Sequence, residues 1–320
     1  MPATIAPSNS SPQPTTLSVL TLEFVSRIAA ILPETALQAA ASLLALLDSA
    51  FSESRRQGLR HNLAAIALWG HPRLRSEATR RDAERDVFRS YHRGCLDYLA
   101  QRRGARGPRA IPRFTGAERL YRALASGRGA VVTVPHLGNW ELAGLTMARL
   151  GFQIHVVTGV QVHAAVSRAV RAAKEADRIA VSTPEDGFMP LLRTLRRGGL
   201  VVLLADGDVF ARGETFLFFG APAEFPLGPA LLSRRAGAPL VHAYAIRERD
   251  GGQRIVFDSV DRPDPTRPVA EDVIRLTEGV VRALERAVAA NVTQWCIFRP
   301  LVGAASDAGA DTAPRVTHAA

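Results

Sequence analysis

Gly129-Ala130-Val131-Val132-Thr133-Val134-Pro135-His136-Leu137-Gly138-Asn139-Trp140-Glu141 reads, in order, as a strand, a tight loop and the start of a helix. The run from Gly129 to Val134 is short, uncharged and β-branched, the pattern of a strand buried on both faces, and Pro135 ends it. From Trp140 to Leu150 the residues favour helix, with Gly138 or Asn139 as the N-cap and Gly151 as the stop. His136 is thereby placed in a strand-to-helix loop.

The same alternation extends outward. A second strand is expected at Ile154 to Thr158, a helix from Val162 to Ala176 and a third strand at Ile179 to Ser182. A helix over Phe188 to Arg197 follows, stopped by Gly198-Gly199, and then Leu200 to Ala205 forms another buried strand leading into Asp206. Strands alternating with helices of this length predict an α/β fold with a mostly parallel sheet flanked by helices. Pro239 to Arg247 and Arg254 to Val260, joined through Asp250-Gly251-Gly252, read as an antiparallel hairpin, and Val273 to Ala290 as a long closing helix.

Ahead of this core, Ser18 to Phe51 is strongly apolar, but Glu23, Arg27, Glu34 and Asp48 interrupt it and Pro33 divides it. A spanning helix needs about 20 consecutive apolar residues. Leu37 to Leu47 is shorter and reads as a buried or interfacial helix. The expected division is a disordered N-terminus over 1–15, a helical membrane-associated lead-in over 16–127, the α/β core over 128–300 and a disordered tail over 301–320. The first fifteen residues lack the basic and apolar regions of a signal peptide.

Hydrophobic residues make up 47% of the chain and charged residues 22%, the balance of a folded protein, so the net charge of +10 calls for a separate reason. Arginine supplies nearly all of it, and Lys174 is the only lysine. A basic surface suits phospholipid head groups, an acidic carrier protein or a phosphorylated donor. Nucleic acid is disfavoured: the basic run Gln101 to Arg109 has no interleaved aromatics for base stacking and is short enough for a linker. Cys95 and Cys296 are too few and too far apart to suggest a disulfide framework or a metal site.

Chemistry in α/β proteins gathers at the carboxyl ends of parallel strands. His136 follows one such strand and Asp206 another. Two residues five apart in one helix point roughly 140° apart, so His136 and Glu141 meet only if the loop folds back. A carboxylate on one imidazole nitrogen then fixes the tautomer and leaves the other nitrogen as a general base toward a hydroxyl. The bland alternative is a surface histidine near a glutamate that favours the helix dipole. Asp206 and Asp208 read either as an acidic turn or as groups positioning an acceptor hydroxyl or supporting Arg212, which is suited to phosphate. Two aspartates alone do not make a metal site. Phe216, Phe218 and Phe219 are either core or the lining of an acyl-chain pocket, and Trp295 and Phe298 read as core or interfacial anchors.

Val134 to Gly144 resembles the first block of the lipid A late acyltransferase family, which also includes the mycobacterial phosphatidylinositol mannoside acyltransferases. Leu203 to Gly213, Phe218-Phe219-Gly220-Ala221-Pro222 and Pro226 to Leu240 resemble its later signature in order and spacing. Arg55-Arg56, Arg60-His61-Asn62-Leu63 and Val87-Phe88-Arg89-Ser90-Tyr91 resemble its helical lead-in. The resemblance implies a glycerolipid acyltransferase-like fold and transfer of a fatty acyl group from acyl-CoA or acyl carrier protein to a lipid or glycolipid hydroxyl. It implies His136 as general base supported by Glu141, and Asn139, Asp206, Asp208 and Arg212 as substrate-binding residues. It also implies no cofactor beyond the acyl thioester. Many members of the family carry an N-terminal membrane helix, of which this sequence has a weakened version, so a peripheral position on the cytoplasmic face of the inner membrane is expected, with a single anchoring span as the alternative. The family commonly carries an Asn-Arg pair where this chain has Thr158-Gly159-Val160-Gln161, and a polar residue where it has Gly207. These departures leave the acceptor open among glycolipids, lysophospholipids and aminolipids. A thioester hydrolase and a silent membrane-binding relative are the alternatives. No Gly-x-Ser-x-Gly elbow or cysteine nucleophile near a histidine occurs, so a covalent acyl-enzyme is not expected.

Overall fold

The computed structural model describes residues 16–102, 112–159, 171–207 and 213–303. Four helices lead: α1 (Thr16–Ile31), α2 (Glu34–Phe51), α3 (Glu53–Leu68) and α4 (Glu77–Arg102). Then come β1 (Arg113–Thr115), α5 (Ala117–Leu124), β2 (Ala130–Val134), α6 (Trp140–Arg149), β3 (Ile154–Val157) and β4 (Ile179–Ser182). The chain continues through α7 (Met189–Arg196), β5 (Leu200–Leu204), β6 (Gly213–Phe218), β7 (Ala221–Pro226) and α8 (Gly228–Ala236). It closes with β8 (Leu240–Arg247), β9 (Gln253–Asp261) and α9 (Val269–Ala290).

Seven strands form one sheet in the order β1-β9-β8-β2-β5-β3-β4, parallel except where β9 runs antiparallel to β8. The α/β fold expected from the alternating pattern is thus present. The strands at 130, 154, 179 and 200 and the hairpin of β8 and β9 lie within a residue or two of their expected bounds, and α9 begins at Val269, four residues ahead of the Val273 expected. The helix expected over Val162 to Ala176 falls mostly outside the described residues; 171–176 are helical.

The alternation of side chains along a strand splits the sheet into two faces. Val131, Val201 and Leu240 face a core shared with α7, α8, α9 and the lead-in helix residues Leu59, Leu63 and Phe88. Ala130, Val132, Ile154, Ile179 and Leu200 face a second core roofed by α5 and α6.

Two boundaries shift. β1 pairs with β9, so residues from Arg113 onward belong to the sheet unit rather than to the lead-in that was drawn to 127. Leu301 and Val302, assigned above to the tail, are buried, and both backbone N–H groups donate to Asn62 Oδ1 at 2.8 and 3.2 Å. A small-residue stretch looks like tail from composition, whereas these two backbone amides have a buried partner on α3. The N-terminal 1–15, the basic run from Arg103 to Arg109 and residues after Gly303 lie outside the described residues.

Candidate active site

β2 and β5 are adjacent and parallel, with Val134 opposite Leu204. Two residues beyond each, His136 and Asp206 face one another. His136 Nδ1 donates to Asp206 Oδ1 at 2.7 Å, and the His136 backbone N–H donates to Oδ2 at 2.7 Å. Trp295 Nε1 donates to the same Oδ2 at 3.0 Å. A fully buried carboxylate accepting three hydrogen bonds sets the proton on Nδ1 and leaves Nε2 as the basic nitrogen. The His136 side chain keeps 29% of its surface exposed, enough for a substrate hydroxyl to reach it.

The loop is held in place by a strap from the end of the chain. Gly138 N–H donates to Gln294 O at 2.9 Å and Cys296 N–H to His136 O at 2.7 Å, with Leu137 bridged to Trp295. That strap delivers the indole to Asp206. Gly138 has φ +60°, and a Cβ there would lie 2.1 Å from Ala245 O, so only glycine lets the loop press against β8. Asn139 is the N-cap: its Oδ1 accepts from Leu142 N–H at 3.1 Å and its Nδ2 donates to Gly94 O at 3.0 Å. Its carbonyl accepts from Gln253 Nε2 at 2.8 Å. Buried, with both ends of its amide engaged by backbone groups, Asn139 shapes the loop.

Burial pulls the His136 pKa down, but the charge and hydrogen bond of Asp206 outweigh it and leave the group above its ordinary value. Arg299 opposes this rise and Glu141 adds a smaller push in the same direction.

Glu141 is therefore not the carboxylate on His136; Asp206 is. Glu141 sits in the first turn of α6 and pairs with Lys174, the only lysine in the chain, whose side chain is 7% exposed. Asp206, expected to meet substrate, is instead the partner of the histidine. Spacing along the chain finds local partners, while the partner here comes from the neighbouring strand. We expect Glu141→Ala to cost about 1–3 kcal/mol of stability by leaving a buried ammonium unpaired. Thermal melts should show this loss, whereas Glu141→Gln should retain transfer activity within about tenfold.

Phe216, Phe218 and Phe219 are buried in the other core. From the hairpin of β6 and β7 they pack on Phe225 of the same hairpin, on Trp69 at the end of α3 and on Trp295, and none of them lines the apolar cavity described below. Asp208 and Arg212 lie outside the described residues. Trp295, read above as core or an interfacial anchor, is core, and its hydrogen bond to Asp206 is the contact the sequence did not signal, because nothing local marks an indole as a donor to that carboxylate.

An apolar cavity of about 100 Å³ lies between α6 and the sheet. Val132, Val134, Val202, Leu204 and Ala245 line it from the strands, and Ala143, Gly144 and Met147 from the helix. Trp140 and Glu141 also line it, and the Trp140 ring stands edge-on to the His136 imidazole at 5.0 Å. Trp140 thus links the imidazole to the apolar space. Among the described residues no group of three or more His, Cys, Asp or Glu could hold a metal.

The family model described as bacterial lipid A biosynthesis acyltransferase matches residues 10–302. A phosphatidylinositol mannoside acyltransferase of Mycobacterium tuberculosis (strain CDC 1551 / Oshkosh) is 29% identical over 189 residues, 58% of this chain and 58% of that protein. One from Mycolicibacterium smegmatis is 26% identical over 187 residues, 57% of this chain and 60% of that protein. The chain thus spans somewhat under two thirds of the length of the relatives it matches. With a family match across most of its length and a histidine-carboxylate pair beside an apolar cavity, the chain belongs to the bacterial lipid A biosynthesis acyltransferase family.

Proposed function

We propose that the protein transfers a fatty acyl group from an acyl thioester, acyl-CoA or acyl carrier protein, to a hydroxyl of a membrane lipid or glycolipid. The observation that carries this reading is the His136 and Asp206 pair, with the Trp140 ring that lines the apolar cavity packed edge-on against the imidazole. In one step Nε2 takes the proton of the acceptor hydroxyl while its oxygen attacks the thioester carbonyl. The resulting tetrahedral intermediate expels thiolate, which takes the proton back from the imidazolium. Asp206 holds the tautomer and stabilises the transient positive charge. Backbone N–H groups at the start of α6, at Trp140 and Glu141, are the donors offered to the oxyanion. We assign the acyl chain to the cavity under α6, whose walls are mostly apolar apart from the Glu141 and Lys174 pair. The names of the relatives make mannosylated phosphoinositides the first acceptors to try.

The test is to incubate protein with labelled acyl-CoA or acyl carrier protein and membrane lipid, beside a His136→Ala control. Label entering lipid only with the unaltered protein is expected. Label released solely as free fatty acid would mean a thioester hydrolase, and no histidine-dependent product with either donor would reject both enzymatic readings.

We further propose peripheral attachment at the cytoplasmic face of the inner membrane through α1 and α2. No single helix among the described residues is long and apolar enough to cross a membrane, and α2 and α3, which reach that composition together, are bent by 95°. Leu43, Leu46, Leu47 and Phe51 nonetheless stand exposed on α2, as do Phe24 and Ile31 on α1. Inserting such side chains into lipid gains about 1.5–3 kcal/mol each. Leu46→Glu or Phe51→Glu should weaken vesicle binding by about tenfold or more in a sedimentation assay. Binding that is unchanged in both variants would remove α2 from the membrane contact.

A further inference from the structure

Among the described residues, no carboxylate pairs with Arg299, a cation beside the His136 and Asp206 pair. Arg60, Arg93, Arg102 and Arg247 each pair with an aspartate or glutamate. Arg299 makes a single hydrogen bond among the described residues, from Nη2 to the backbone oxygen of Asp206 at 3.4 Å. It is only partly buried. Most of its five N–H donors are left for a ligand.

Its place is set with care by elements far away in sequence. Asn62 on α3 donates from Nδ2 to Arg299 O at 2.8 Å and accepts the N–H groups of Leu301 and Val302. A Cβ at Gly58 would lie 2.4 Å from Phe298 O and 2.8 Å from Arg299 Cα, so α3 lies directly against this segment. On the other side Gly207, at φ +90°, gives way to the guanidinium: a Cβ there would come within 2.5 Å of Nη2. The result is a fixed, charged fork beside the Asp206 that holds His136, close enough to oppose protonation of the imidazole. A buried or half-buried cation without a counter-ion costs free energy that a bound anion recovers.

We propose that Arg299 is the anion-binding residue of the acyl-transfer site, receiving a phosphate group that the acceptor carries within a few bonds of its reacting hydroxyl. The acceptor side is favoured over the donor because the phosphate of a pantetheine thioester lies at the far end of a long arm from its carbonyl. A cation beside His136 reaches a group close to the reacting atoms. The assignment to the acceptor rests on the acyl-transfer reading; the anion site does not.

Two arms test it, with Arg299→Gln, Arg299→Lys and, as a surface control, Arg122→Gln. In the first, glycerol phosphate is titrated into the intact protein by NMR, with glycerol as the neutral probe. Arg299→Gln should weaken glycerol phosphate binding at least tenfold, Arg299→Lys less, and Arg122→Gln should leave it as it was. In the second, transfer is measured to vesicles of phosphatidylinositol and of a neutral glycosyl diacylglycerol, beside hydrolysis of the donor without acceptor. Read on the alkaline plateau, where the imidazole is neutral with or without the Arg299 charge, Arg299→Gln should lower kcat/KM for the anionic acceptor about 30- to 100-fold more than for the neutral acceptor or for donor hydrolysis, mainly through KM. Equal glycerol phosphate binding by the unaltered protein and Arg299→Gln overturns the proposal, as does an equal loss of transfer to both acceptors. If binding depends on Arg299 but neither acceptor is acylated in a His136-dependent way, the acyl-transfer reading and the acceptor assignment fall while the anion site stands. Thermal melts of the variants separate these results from misfolding.

Discussion

Asp206→Asn should lower kcat for acyl transfer by about 10³- to 10⁴-fold and move the acidic limb of the pH profile downward. Three donors converge on the two oxygens of this carboxylate: His136 Nδ1–H on one, and the His136 amide and the Trp295 indole on the other. An asparagine has a single oxygen to offer. If the oxygen faces Nδ1, the NH₂ group meets two N–H donors; if the NH₂ faces Nδ1, the imidazole must carry its proton on Nε2 and is no longer a base. Either arrangement damages the site without altering its shape.

The sign of the pH effect follows from the same contact. Asp206 holds the His136 pKa above its ordinary value against the downward pull of burial. The base works only when neutral, so kcat/KM in the unaltered protein falls as pH drops through that raised pKa. Without the carboxylate charge, burial acts with little opposition, the imidazole stays neutral to lower pH, and the weak remaining activity persists there. Rate profiles of the two proteins, with melting curves to confirm folding, would check this. An unmoved acidic limb, or a kcat within tenfold of the unaltered protein, would remove Asp206 from the role of partner to His136.

What could be read from the residues alone was the local part of this site. A β-branched run ended by Pro135 and a helix capped by Asn139 are decided within a dozen residues, so β2, the histidine loop and α6 were legible. The identity of the carboxylate was not. His136 and Asp206 are brought together by the pairing of Val134 with Leu204, which is a property of sheet order rather than of spacing. Glu141 was the nearer candidate in sequence, but the helix carries it to the cavity wall and Lys174. β1 was missed because three residues carry no periodicity, and its place at the sheet edge comes from pairing with β9. The aromatic run at Phe216 to Phe219 has the same appearance whether it lines a lipid channel or fills a core, and only the position of the β6 and β7 hairpin decides for core.

The cavity under α6 yields the second large effect, because one of its wall residues is a glycine with room beside it. Gly144 lines the apolar space, and a Cβ built on it has no neighbour within 4 Å. Its backbone is helical, so replacing it carries no conformational penalty and gains the usual helix preference over glycine. Gly144→Leu therefore places an isobutyl group in the cavity while leaving the fold at least as stable. If an acyl chain enters there, the substitution displaces about three to four methylenes, each worth about 0.8 kcal/mol when buried. Roughly 2.5–3 kcal/mol of lost binding corresponds to about a 10²-fold drop in kcat/KM for long-chain donors. Donors too short to reach Gly144 should be used almost as before, so the ratio of short-chain to long-chain transfer rises by the same factor. That reversal of preference is the informative result, since general damage to the enzyme would lower both rates together. Equal use of long-chain donors by the Gly144→Leu protein would place the acyl chain elsewhere and leave this cavity as packing space under α6.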